Sequence, residues 1–252
     1  MSIERTAIHQ VLLEDLDLDG MQSFVSARGA YAYADAPDRW RVVAQQMSLI
    51  ARTGTKPHPT PVGLLCFGHH PQLFHPEWGI AAVQVRGRTL ADPIETRHDL
   101  EGPIPVLLER ALRFVAERTA TLNEGAEEYP AVALREALIN AMVHRDLRKS
   151  GRISLRLFHD RLEVHNPGGI GETTVGDFDE MVQRGGLSVP RNPILAATVR
   201  RLGLMDQVGR GLPVMRRALG DGAVSRLLVR ATPRDFLVTM PSRFAPPSGA
   251  PS

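Results

Sequence analysis

Glu136, Asn140 and His144 fall at intervals of four within one apolar segment that runs from Leu134 to Asp146. Four residues make slightly more than one helical turn, so each side chain is displaced by roughly 40° from the last and all three share one side of a helix. The intervening positions carry Leu134, Leu138, Ile139, Met142 and Val143. A helix this apolar is predicted to be buried, and a carboxylate and an amide on its inner rim are costly unless a ligand, a metal ion or a partner satisfies them. Glutamate followed four residues later by asparagine suits one chemistry in particular. In that chemistry the amide oxygen can ligate a Mg²⁺ bridging triphosphate oxygens, while the carboxylate orients a water. The structural alternatives are a solvated Glu136 with Asn140 capping the end of the helix, or a Glu136 that pairs with Arg135 or Arg145.

The elements that must position these residues can be read from periodicity. A helix from Pro130 to Val143 is followed by strands over Arg152–Phe158 and Arg161–His165, then a Gly-rich loop and two or three short helices between Asp177 and Leu219. Strands over Ser225–Arg230 and Phe236–Met240 close this part of the chain. Helices grouped between antiparallel strands imply an α+β sandwich, a sheet covered on one face.

Upstream, Ile8, Val11 and Leu12 are spaced for a helix face, and Asp19 is placed to cap a second helix that ends near Gly29. A third helix carries Trp40, Val43, Ala44, Met47 and Ile50 and stops before the Pro-rich loop Lys56–Pro61. The apolar runs Val62–Phe67 and Ile80–Arg86 read as a pair of strands, and a scaffold helix spans Ile104–Arg118. The polar stretch Thr119–Glu128 marks a boundary between a mixed α/β segment, residues 1–120, and a second domain, residues 121–241. Residues 242–252, rich in Pro, Ser and Gly, read as a disordered tail.

The segment Arg135 to Asp146 resembles the N box of the GHKL superfamily of gyrases, MutL-type mismatch-repair proteins and sensor histidine kinases. It matches most closely the subgroup with the pattern RExxxNAxxHRD, found in RecG-related and Schlafen-AlbA-type transcriptional regulators. Downstream segments follow in the same order. Val164–Gly169 stands where the superfamily places an Asp-x-Gly-x-Gly loop, Ser188–Pro193 resembles the subgroup's next loop, and Gly203–Pro213 resembles its second glycine box. Thr60–Gly68 is similar to the stretch that precedes this domain in the same proteins, so the resemblance runs from about Leu16 to Met240. The Schlafen-AlbA-type domain that comes first in the family, and the winged helix that often follows, are not expected here.

The resemblance implies a divergent Bergerat-type α/β sandwich that binds ATP with Mg²⁺. It implies that Asn140 holds the metal, that Glu136 serves as base in any weak hydrolysis, and that His144, Asn166, Gly168, Gly169, Arg191, Gly209 and Gly211 complete the nucleotide site with Asn140. Gly209 and Gly211 precede a helix over Leu212–Leu219, whose free N–H groups suit phosphate oxygens. One departure is pronounced: His165-Asn166 stands where the superfamily uses an Asp to accept from the adenine amino group, and an amide oxygen accepts that bond more weakly than a carboxylate. The other reading is a nucleotide-free fold that serves as a dimerisation or DNA-associated module. The chain has no G-x-x-x-x-G-K-[ST] loop and so is not by itself a helicase.

Composition narrows the alternatives. Thirty Lys and Arg against 28 Asp and Glu leave a formal charge of +2, which does not by itself call for a polyanion, so DNA is expected only through a larger assembly, beside a possible homodimer. Aromatic residues at 5% are too few for a base-stacking single-strand platform. The first thirty residues lack a signal pattern and no run approaches the ~20 apolar residues of a membrane helix, so a cytoplasmic protein with no membrane partner is expected. The single cysteine, Cys66, lies in an apolar run and is predicted to be buried and inert. Asp15–Gly20 begins like a calcium loop, but Ser26 stands where a bidentate Glu is needed. His69, His70 and His75 lack the further ligand that would complete a zinc site, and the Arg200, Arg201, Arg210, Arg216 and Arg217 group reads first as solvated helix faces.

Overall fold

The computed structural model describes residues 2–29, 39–119, 127–169, 190–205, 211–219, 227–232 and 234–244. The chain forms two compact units, neither contiguous in sequence. One comprises Met1–Pro76, Glu101–Val106 and Asn192–Met205; the other comprises Glu77–Leu100, Leu107–Arg191 and Asp206–Ser252.

In the first unit, helix α1 (Leu18–Gly29) is capped by Asp17, whose Oδ1 accepts from the Gly20 N–H at 2.9 Å. Asp19, the expected cap, already lies inside the first turn. The Ile8–Leu12 stretch is not the helix its spacing predicts; its backbone is anchored instead by the Ile8 N–H, which donates to the Pro59 carbonyl at 2.8 Å. Helix α2 (Arg39–Gln46) buries Trp40 and Ala44 but stops before Ser48, which takes φ 58°, and Ile50 opens strand β1 (Ile50–Thr53) instead of extending the helix. The Pro-rich segment read as a loop is strand β2 (Lys56–Pro59), antiparallel to β1. A two-stranded ribbon has only edges, where proline is tolerated.

The run Val62–Phe67, read as a strand, is helix α3 (Pro61–Phe67). Thr60 accepts from the Gly63 N–H at 3.2 Å and Pro61 occupies the first helical position, two start signals that override a short apolar run without period. The whole of α3 is buried, Cys66 included, and burial pushes its thiol pKa up, as expected of an inert core cysteine. Beyond α4 (Pro71–Phe74), Gln72 exchanges two hydrogen bonds with the Gly102 backbone. Helix α7 (Pro193–Arg201) begins where buried Glu4 accepts from the Leu195 N–H at 2.7 Å.

The second unit is built on a six-stranded sheet of order β4-β3-β5-β6-β8-β7, with β3 (Ile80–Val85), β4 (Ile94–Leu100), β5 (Ile153–Leu157), β6 (Arg161–Pro167), β7 (Leu228–Ala231) and β8 (Asp235–Pro241). All neighbours are antiparallel except β3 and β5, which are parallel. Strand β4 carries no apolar alternation and was not expected. It takes the place beside β3 that the sequence assigns to Val62–Phe67. The sheet therefore draws strands from both sides of residue 120.

One sheet face is apolar: Ala82, Leu155, Val164 and Val238 stand in register across four strands, and all are buried. The opposite face carries polar pairs such as Arg156 opposite Glu163, whose charged atoms lie 3.5 Å apart. Helices α5 (Ile104–Thr119), α6 (Ala131–His144) and α8 (Gly211–Leu219) complete the layers, with α6 packed on β6 and α8 on α6. The result is the α+β sandwich that the element order implies. Residues 177–189 of the expected short helices, Gly209 and Arg210, and 245–252 of the tail fall outside the described residues. Among the described residues no helix is long and apolar enough to cross a membrane.

Candidate functional site

Helix α6 realises the pattern read from its sequence. Ala133, Leu134, Ala137, Leu138, Ile139, Ala141, Met142 and Val143 are buried, while Glu136, Asn140 and His144 form a partly exposed stripe between them. The Asn140 Nδ2 donates to Glu136 Oε1 at 3.0 Å. Asn140 does not cap the helix; Arg145 holds the C-cap position. Arg145 turns inward, 1% exposed, and donates to the main-chain carbonyls of Glu77 at 2.8 Å and Gly151 at 3.2 Å, with burial lowering its pKa to about 10. It is a structural residue that stitches the end of α6 to the two loops.

The start of α8 lies directly on the Glu136–Asn140 pair. A Cβ added at Gly211 would overlap Glu136 Oε1 and come within 2.8 Å of Asn140 Nδ2, so any larger residue there must displace the pair. Gly211 of the second glycine box and the Glu136–Asn140 pair of the N box, far apart in sequence, thus meet.

Strand β6 delivers the third component. Leu162, Val164 and Asn166 alternate onto the apolar sheet face on which α6 packs, with Asn166 opposite Phe236 of β8. Asn166 is 2% exposed, and among the described residues its Oδ1 has no hydrogen-bond partner. An orphaned buried acceptor is rare and costs about 1–3 kcal/mol. Its neighbour His165 points to the other face, where Nε2 lies 3.0 Å from Asp235 Oδ1.

Past β6, Gly168 takes φ +100°, a conformation that disfavours any side chain, and a Cβ there would also strike the Asp146 Cβ at 2.6 Å. Arg191 spans this turn: its Nη1 lies 2.9 Å from Asp146 Oδ2 and its Nη2 donates to the Gly169 carbonyl at 2.6 Å. His144 sits in the field of Arg191. Burial first, and that positive charge second, lower its pKa to about 4, so the imidazole is neutral at pH 7.

Glu136, Asn140 and Gly211 are therefore brought together, and His144, Arg191, Gly168 and Gly169 form a second group at the end of α6, with Asn166 on the adjoining strand. Gly209 lies outside the described residues. The residue that sequence reasoning missed is Asp146. It closes the HRD pattern, but nothing local in the sequence marks it as the partner of Arg191. Among the described residues no three His, Cys, Asp or Glu side chains gather as a metal cage.

The chain is similar in fold to the crystal structure of the DIP2311 protein from Corynebacterium diphtheriae, with TM-score 0.66 at 20% identity over 96% of this chain. It spans 40% of the length of that chain. No curated protein sequence matches it. Residues 151–240, which hold β5 to β7, most of β8, Asn166, Gly168, Arg191 and Gly211, match the model of the family described as "Putative ATP-dependent DNA helicase recG C-terminal", so this part of the chain is similar to that domain.

Proposed function

We propose that the second unit is an adenine-nucleotide-binding module. The observation that carries the reading is Asn166, a buried carboxamide at the end of β6 whose acceptor has no partner among the described residues, where the superfamily resembled in sequence keeps its adenine-reading Asp. An exocyclic amino group supplies the missing donor. The phosphates would then reach the start of α8, where Gly211 adjoins the Glu136–Asn140 pair.

The residues fit a Mg²⁺ held mainly by phosphate and water. Asn140 points its Nδ2 at Glu136 and so leaves its Oδ1 to supply one neutral oxygen ligand, and a Mg²⁺ site on triphosphate needs few protein donors. When bound, the ion neutralises phosphate charge. Glu136, fixed by the Asn140 amide, would orient a water and take its proton in slow hydrolysis. Within a longer regulator, nucleotide occupancy would be transmitted to a DNA-associated assembly or a second copy of the chain.

A second reading has its own observation. Gly211 lies so close to Glu136 and Asn140 that a Cβ there would overlap the carboxylate, a direct packing contact that favours a module that keeps the fold without nucleotide. Calorimetric titration with ATP, with and without Mg²⁺, separates the two, with inosine triphosphate, which lacks the amino group, as the control. Saturable ATP binding strengthened by Mg²⁺ and weaker for inosine triphosphate is expected. No heat at millimolar ATP would leave only the nucleotide-free module.

A further inference from the structure

The turn after β6 has no regular structure of its own to hold it. Gly168 is at φ +100°, and Pro167 before it cannot donate a backbone hydrogen bond. Among the described residues three contacts define its path: the Gly168 N–H donates to the Arg234 carbonyl at 2.6 Å, Gly168 lies against Asp146 so closely that a Cβ would collide, and the Gly169 carbonyl accepts from Arg191. Asp146 and Arg191 meet across this turn at 2.9 Å, each with about a quarter of its side chain exposed. The guanidinium fork thus uses one nitrogen on the carboxylate and the other on the glycine carbonyl, an arrangement that a lysine ammonium cannot copy.

The geometry points to Asp146 and Arg191 as a latch: a pair of positioning residues that fixes the Gly168–Gly169 turn against the end of α6 and acts on a nucleotide through that turn, not by touching it. Its effect on ligand rests on the nucleotide reading above; its effect on the turn does not. The two acceptors engage both terminal nitrogens of Arg191, so the guanidinium is fixed in place by the carboxylate and the turn together. The latch also accounts for Asp146 lying just past α6, because its carboxylate can reach a fork over Gly168 only if nothing larger than hydrogen stands at that position.

The test uses the whole chain and three variants: Asp146→Asn, Arg191→Lys and the double variant. Amide hydrogen exchange is read at Gly168, and ATP affinity by calorimetry. Each single variant is expected to speed Gly168 exchange about tenfold or more while exchange in the core of α6 is unchanged, and the double variant to add little to either single one. ATP affinity should fall by a similar factor in all three, since each removes the same latch. Unchanged Gly168 exchange in Asp146→Asn overturns the proposal, whatever the nucleotide does. A loss of ATP affinity confined to Arg191→Lys also overturns it, since that pattern marks a direct phosphate contact. If the wild type binds no ATP, the nucleotide reading fails and the exchange data alone decide the latch.

Discussion

Asn140 donates its amide to Glu136 Oε1 at 3.0 Å, so the carboxylate is oriented by a neutral hydrogen bond and the amide oxygen is turned away from it. That polarity of the amide is what a metal-ligating asparagine needs. In Asn140→Ala the Mg²⁺-dependent part of ATP affinity is expected to vanish, while the fold survives the loss of one partly exposed amide. Titrations with and without Mg²⁺ check this, and an unchanged Mg²⁺ dependence rejects the metal role.

Glu136→Gln keeps the size of the side chain and most of its hydrogen bonding but removes the base. Phosphate release should slow by about a hundredfold or more with nucleotide affinity retained. A Glu136 that served only an ion pair would instead lower the melting temperature with no specific effect on turnover. If the wild type releases no phosphate above background, the hydrolytic role fails.

The two parts of the site differed in how far the sequence disclosed them, for physical reasons. Glu136, Asn140 and His144 were legible because a fixed helical period sets them on one stripe whatever surrounds it. The glycine turns were legible as turns, but their partners were not, since Gly211 meets Glu136 and Gly168 meets Asp146 only after distant elements pack. The fold shows the same division. β6 and β8 announced themselves by apolar content, whereas β4, polar on both faces at the sheet edge, gave no period, and the α3 run was decided by Thr60 and Pro61 outside it.

Gly211→Ala tests the contact between the two boxes. The added methyl meets Glu136 Oε1 and Asn140 Nδ2, so the hydrogen-bonded pair must shift to admit it. A destabilisation of about 1–3 kcal/mol is expected from overpacking of this kind, together with loss of nucleotide affinity. An unaltered denaturant midpoint and an unaltered ATP titration would show that α8 yields at no cost.

His144 gives a pH signature. Its folded pKa of about 4 lies below the ordinary 6.5, so the unfolded chain binds the proton more readily and protonation favours unfolding. Its contribution is fully present above pH 6.5 and is lost as pH falls toward 4, by up to about 3 kcal/mol at ~1.4 kcal/mol per unit. Buried Glu4 works in the opposite sense, because a raised carboxyl pKa lends stability at low pH and withdraws it as pH rises. Comparing His144→Gln with the wild type in denaturant melts from pH 4.5 to 7.5 isolates the histidine. The gap between them should change across that window, and a constant gap would mean that His144 titrates normally.

Asn166 sets stability against binding. Its Oδ1 is buried and has no hydrogen-bond partner among the described residues, an arrangement that costs stability. Asn166→Val removes the orphaned acceptor and places a β-branched residue in a strand, on the apolar face opposite Phe236, so the ligand-free melting temperature should rise by the equivalent of about 1 kcal/mol. The same change deletes the group proposed to read the amino donor, so ATP affinity should fall about tenfold, the worth of one hydrogen bond of ~1.4 kcal/mol. Inosine triphosphate, which offers no amino group there, should bind both proteins alike. Melting temperature and ATP affinity are thus expected to move in opposite directions in one variant, which a residue kept only for packing cannot produce. A variant that melts lower and binds ATP as before would return Asn166 to the structural residues and leave the base without a reader.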